Sequence, residues 1–214
     1  MKRWLLWLCL CLLAGCASAP TSARLPYDGW SLGFTGRPYM EVWVETADVE
    51  DVKGRLFPRA GAGVASQGYA GDPAGWPDNA AASTRRVTGA DLPGRIHVRW
   101  QSLVEPQTYR VTLEVPEEAR RLMLSKAESR VVPGRMDYRY MVVIGLAPGG
   151  WVKMWVRSPG SQPIEVLCQQ AEVEPKGPDQ GQYGGRYVTL PAKAKAYIDK
   201  NPIPYDSWKC GASP

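Results

Sequence analysis

His97 is the only histidine in the 214 residues, so it is where acid–base chemistry would first be sought. It alternates with Arg95 and Arg99, opposite Ile96, Val98 and Trp100, which places it on the polar side of a strand. A catalytic imidazole needs a positioned nucleophile and an orienting carboxylate. Nothing in the sequence places either, and His97 reads as a surface residue. Glu165, Glu172 and Glu174 share one strand-like stretch, and period two puts Glu172 and Glu174 on the same face. Glycosidase carboxyls face each other across a cleft, whereas same-strand neighbours on an open face read as solvated. The run Gly177-Pro178-Asp179-Gln180-Gly181-Gln182-Tyr183-Gly184-Gly185 is not followed at once by a helix and fits neither nucleotide fingerprint. It reads as turn structure. No nucleophile-elbow Gly-x-Ser-x-Gly is present. Trp43, Trp100, Trp151 and Trp155 sit at strand spacing and suit a core, with a sugar-binding platform as the alternative. The expectation is therefore a chain with no catalytic residues, no cofactor and no metal site: a binding protein rather than an enzyme.

The cysteines are more informative. Lys2 and Arg3 precede an apolar run from Trp4 to Leu13, and the small pair Ala14-Gly15 follows. This is the layout of a secretory signal over residues 1–15, and the run is shorter than the roughly twenty residues that a spanning helix needs. Leu13-Ala14-Gly15-Cys16 resembles the bacterial lipobox, which implies cleavage before Cys16 and acylation of its thiol. One acyl chain holds a protein only marginally, and the triacylated Cys16 that the lipobox implies would be a lasting anchor. Ala17, in place of the aspartate that marks inner-membrane retention, favours the outer membrane, with the domain on its periplasmic face. Cys9 and Cys11 leave with the signal. Cys168 and Cys210 remain in an oxidising compartment and are expected to pair as a disulfide, the alternative being two unbonded thiols. Neither has a partner at zinc-ligand spacing.

Loss of the signal removes two of 26 basic residues, so the mature charge is 24 − 21 = +3. That is too mild and too scattered for nucleic acid. Residues 16–26, with Pro20 and Pro26, read as a lipidated tether. A single β-rich domain is expected over 27–214, within the usual size of one domain. Trp30 to Thr35 and Tyr39 to Glu45 are strand candidates. Residues 58–94, rich in glycine, alanine and proline, read as one long loop, either a mobile insertion or a partner-binding loop. Arg95 to Trp100 and Tyr109 to Val115 form a half-buried antiparallel pair. Pro116 then opens a helix whose apolar stripe is Ala119, Leu122, Met123 and Ala127. Tyr138 to Leu146 and Trp151 to Arg157 flank a type II turn at Ala147-Pro148-Gly149-Gly150. Pro163 to Val173 is one further strand, a short helix starts at Pro191, and the aromatic end Ile203 to Trp208 docks on the sheet. The class is mainly β (α+β): an antiparallel sheet or sandwich with two short helices.

Several of these stretches carry a resemblance. They are Arg99-Trp100-Gln101-Ser102-Leu103 with Tyr109, Gly145-Leu146-Ala147-Pro148-Gly149-Gly150 with Val152 and Trp155, and Pro163-Ile164-Glu165-Val166. To them are added Glu174 with Gly177-Pro178 and Gly181, and Tyr197 followed by Ile203-Pro204-Tyr205 and Ser207-Trp208. From Tyr27 to Trp208 the chain resembles a family of bacterial lipoproteins known as domain of unknown function 2931. Some members of that family resemble immunity proteins for lipase effectors of the type VI secretion system. The resemblance implies no catalytic residues. It implies a protein partner, a phospholipase effector in the periplasm, bound through a surface of roughly 800 Å² on each side. An envelope-structural or glycan-binding lipoprotein is the alternative.

Overall fold

The computed structural model describes residues 25–212. The expected signal (1–15), Cys16 and all but the last two tether residues lie outside them. Twelve strands arrange into two five-stranded sheets and one two-stranded ribbon. The first sheet holds β1 (Gly29–Thr35), β4 (Ser83–Thr88), β9 (Met141–Ala147), β10 (Trp151–Arg157) and β11 (Ile164–Gln170), in the order β11-β10-β9-β1-β4. The second holds β2 (Val42–Asp51), β3 (Leu56–Ala65), β5 (Pro93–Ser102), β6 (Gln107–Glu114) and β12 (Glu172–Val173), in the order β12-β6-β5-β2-β3. All pairings in these two sheets are antiparallel except β1 with β9. β7 (Lys126–Glu128) and β8 (Met136–Tyr138) form the ribbon, and α1 (Glu117–Met123) and α2 (Ala192–Ile198) are the two α-helices.

Apolar residues on the inward faces of the central strands explain why the sheets face each other. Trp30 and Leu32, Val142 and Ile144, and Val152, Met154 and Val156 come from the first sheet. They share one buried cluster with Val42, Val44, Ile96, Val98, Trp100, Val111 and Leu113 from the second. This is a β-sandwich, its core built from the inner faces of both sheets.

Residues 58–94 are not one loop. They contain most of β3 and all of β4, with 66–82 and the short 89–92 connection lying outside regular structure. Both strands are sheet edges, which explains why their pattern is hidden. An edge strand tolerates Pro58, and the positive φ values of Arg59 (53°) and Gly63 (110°) accompany register irregularities against β2. In β4 only Val87 is buried, so there is no apolar alternation to read. Gly61 is required by contact, because a Cβ there would lie 2.6 Å from the Phe34 ring.

Two other expectations are corrected. The helix opened by Pro116 ends at Met123, and Ala127 belongs to β7 instead. The stretch 163–173 is two strands. β11 pairs with β10 in one sheet, then Ala171 donates to Gly150 O (2.8 Å), and β12 joins β6 in the other. The chain crosses the open end of the sandwich there. The Pro148 turn forms as expected, with Gly149 at φ 75°, ψ 8°.

Candidate functional site

The outer face of the first sheet carries a cleft that four separate segments build. Lys153 and Trp155 point outward from β10, opposite the inward Val152, Met154 and Val156. Pro163 and Glu165 come from β11, Trp76 and Asp78 from the 66–82 segment, and Ser207 and Ala212 from the C-terminal end. The volume is about 340 Å³. Lys153 is 9% exposed. Its Nζ lies 2.9 Å from Glu165 Oε2 and 5.6 Å from the centre of the Trp76 ring. Trp76 meets Trp155 edge-on at 5.7 Å. This approach requires Gly145, where a Cβ would stand 2.6 Å from the Trp76 ring and 2.8 Å from that of Trp155.

Each wall is fixed by specific bonds. Trp76 Nε1 donates to Trp208 O (3.0 Å), and Trp208 Nε1 donates to Pro73 O and Gly75 O (3.2 and 3.1 Å). The 66–82 segment and the C-terminal end are therefore laced to one another. Arg37 donates to Asp72 O, Pro73 O and Ala74 O. Burial pulls its pKa down, against the opposing pull of Asp72 and Asp78. Tyr69 OH donates to Glu41 Oε1 at 2.6 Å, a bond that raises the phenol's pKa. Arg157 donates to Asn79 O and Ala80 O. The Cys168–Cys210 disulfide, Cα–Cα 5.7 Å, ties the same C-terminal end to β11. The expected pairing of these cysteines is thus present, and it holds a wall of the cleft.

Other polar groups serve the crossing segments. Glu45, its carboxylate almost fully enclosed, accepts from Arg99 Nε, from Gln101 Nε2 (2.9 Å) and from Asp179 N (2.7 Å). Gln101 Oε1 accepts from Val188 N (2.8 Å). Asp179's pKa is raised by burial and by Glu45, and partly restored by Arg99. These bonds hold the 177–188 segment against the second sheet, which is turn structure as expected. Glu105 accepts from Gly149 N (2.9 Å), and its charge lies close to the hydroxyls of Tyr109 and Tyr205. Burial, then the Glu105 charge, pushes Tyr205 up to about 12.

His97 lies on the outer face of β5, Nδ1 3.2 Å from Thr112 Oγ1, and takes no part in the cleft. Glu172 is exposed, but Glu174 is 3% exposed and sits 3.7 Å from Arg110 Nη1. Glu174 is therefore not the solvated carboxylate its strand position suggests. Of the four strand-spaced tryptophans, Trp100 is in the core, Trp155 floors the cleft, and Trp43 and Trp151 are half-buried. Sequence reasoning singled out Glu165 and Trp155 one at a time. It missed Lys153, whose signal is a lysine flanked by buried apolar positions, and it placed Trp76 only within the 58–94 stretch, read as a mobile insertion or a partner-binding loop. Among the described residues no group of three or more metal-binding side chains occurs.

The family model described as "Protein of unknown function (DUF2931)" matches residues 17–206. The chain belongs to that family. No curated protein and no solved structure matches the chain. In this DUF2931 chain, the stretches that carry the resemblance converge at three places. Gly145, Trp155, Pro163, Glu165 and Ser207-Trp208 form or support the cleft. Tyr109, Gly149 and Tyr205 gather on Glu105, and Arg99, Gln101, Gly177 and Pro178 gather around Glu45.

Proposed function

We propose that the chain is an exported, lipid-anchored binding protein of the bacterial envelope that neutralises a phospholipase effector of the type VI secretion system. The observation that carries this reading is a recognition cleft whose C-terminal wall is pinned by a disulfide. Such a bond persists in the periplasm and is rare in the cytosol, so a surface stabilised by it suits an exported protein. Lys153 and Glu165 neutralise each other in the cleft. Charges held in that way suit complementarity to a protein surface, which adds orientation and specificity. The lipobox at Cys16 supplies the anchor, and the lipase partner comes from the family resemblance. Glycan binding through Trp76 is less well supported, because Lys153 already occupies a face of that ring.

The test uses the mature chain purified from envelopes, incubated with secreted and periplasmic fractions. A phospholipase should co-purify at one-to-one stoichiometry and lose activity on binding. Trp76→Ala together with Lys153→Met, in a chain that still folds, should weaken that inhibition at least about tenfold, a hot-spot-sized loss. Recovery of a cell-wall polymer in place of a lipase would overturn the reading.

A further inference from the structure

On the other side of the β11 edge, the β7–β8 ribbon ends in a tip that is apolar, basic and internally braced. Ser129 Oγ accepts from Val131 N and Val132 N (3.2 and 3.1 Å), Ser129 N donates to Arg135 O (2.8 Å), and Gly134 N donates to Glu128 Oε1 (3.1 Å). Arg130 N donates to Gly160 O (2.9 Å), which ties the tip to the sandwich. This bracing presents three large apolar side chains to solvent: Val131 at 77%, Val132 at 48% and Met136 at 51% exposure. The exposed part of these side chains is apolar surface held in place with nothing in the domain to cover it, which suits a contact outside it.

Charge indicates what that contact is. From Leu124 to Arg139 there are four basic residues, Lys126, Arg130, Arg135 and Arg139, and two acids, Glu128 and Asp137. Lys126, Arg130 and Arg139 outnumber Glu128 in a groove of about 520 Å³ beside the tip, which Met136 and Ile164 also line. Cationic and apolar side chains in one groove match a phosphate headgroup with its acyl chains. Position agrees with chemistry. Tyr27, where the chain enters the domain, packs against Tyr138 and Tyr140 at 5.8 and 6.1 Å, at the base of the ribbon. Cys16 precedes Leu25 by nine residues, which span at most about 30 Å.

We propose that the β7–β8 ribbon docks on an anionic phospholipid bilayer, with Val131 and Val132 entering the interface and Lys126, Arg130 and Arg139 holding headgroup phosphates. The placement of the membrane rests on the reading of Cys16 as the lipid anchor. Docking fixes the domain's orientation, and an acyl chain alone leaves it free to swing.

The mature chain, carrying Val132→Cys labelled with an environment-sensitive fluorophore, is reconstituted into vesicles. These contain phosphatidylcholine alone or phosphatidylcholine mixed with phosphatidylglycerol. The label should shift to the blue only with phosphatidylglycerol, and added salt should reverse the shift. The same label at Val64→Cys, an exposed position on β3, should not respond. Lys126→Ala and Arg130→Ala should each lower the docked-to-undocked ratio about fivefold. No shift at position 132, or an equal shift at position 64, overturns the proposal. Mass spectrometry of Cys16 in the same preparation separates the two readings. An acylated Cys16 with no shift removes the docking alone, and an unmodified Cys16 with a phosphatidylglycerol-dependent shift removes the anchor alone.

Discussion

The disulfide offers the sharpest test of how the C-terminal end is held. Cys168 and Cys210 are 42 positions apart. Closing a loop of that length restricts the unfolded chain by about 13 cal/mol/K, or about 4 kcal/mol at 25 °C, in the chain-entropy model. The described domain of 188 residues has an unfolding entropy of about 0.4 kcal/mol/K, so Cys168→Ala with Cys210→Ala should lower Tm by about 10 °C. The native structure should change little, because Trp208 is fully buried and bonded to Pro73 and Gly75 independently of the sulfurs. Scanning calorimetry of the native chain, the reduced native chain and the double variant measures the loss. Near-ultraviolet circular dichroism reports the tryptophan packing. Both unlinked forms should melt together, well below the native chain, with unchanged tryptophan signals at 25 °C. A Tm shift under about 3 °C, or loss of the tryptophan signals on reduction, would refute the reasoning. The first outcome would mean that the link constrains little, and the second that it alone holds the tail.

Two other perturbations address the lacing and the charge network. Trp208→Phe keeps an apolar ring but leaves the Gly75 carbonyl without its donor and the Pro73 carbonyl with Arg37 alone. Urea unfolding should show a loss of about 1–3 kcal/mol, and a native midpoint would refute the role of those bonds. Asp51 is buried but accepts from the backbone N–H groups of Lys53, Arg55 and Asp91 and from the Arg55 side chain. Burial raises its pKa, and those donors outweigh it, so the net shift is downward. A lowered folded pKa means that its stabilisation is present above the unfolded value of about 3.9 and fades as pH falls below it. Asp51→Asn should therefore flatten the acid limb of a stability–pH profile measured by denaturant midpoints, and an unchanged acid limb would refute the assignment.

β5 and β6 were legible because each buries mainly one face, which leaves a period of two in the sequence. β9 and β10 are buried on both faces and were legible as apolar runs flanking the Pro148-Gly149 turn. The edges β3 and β4 were not legible, since a strand with little buried carries no such period, and its glycines and proline look like a loop. The overlong helix has a related cause. Ala127 falls at helical spacing from Met123 but is buried by the ribbon pairing with Asp137, a tertiary partner that no local pattern announces. The division of 163–173 between sheets depends on the crossing at Ala171, a backbone event with no residue type of its own. Both cysteines were legible by elimination: once Cys9 and Cys11 are read as signal and Cys16 as anchor, the two remaining thiols have one intramolecular pairing available.

The cleft was the least legible feature, for a reason that bears on how such a site is used. Its residues are spread from Trp76 to Ala212, and none is unusual alone. Trp155 looks like core and Glu165 looks solvated, while Trp76 sits in what reads as a loop. Packing alone converts them into a site, and that packing depends on long-range clasps: Arg37 on the 72–74 carbonyls, Trp76 on Trp208, and Cys168 on Cys210. A surface assembled from distant segments and locked by a disulfide holds its shape before a partner arrives. Less ordering entropy is then lost at binding, which suits the proposed capture of a lipase effector. The base of the β7–β8 ribbon packs against Tyr27, near the start of the described residues, so docking at the ribbon's tip would hold the domain at a fixed attitude. The cleft, on the outer face of the first sheet, would then meet its partner in one orientation.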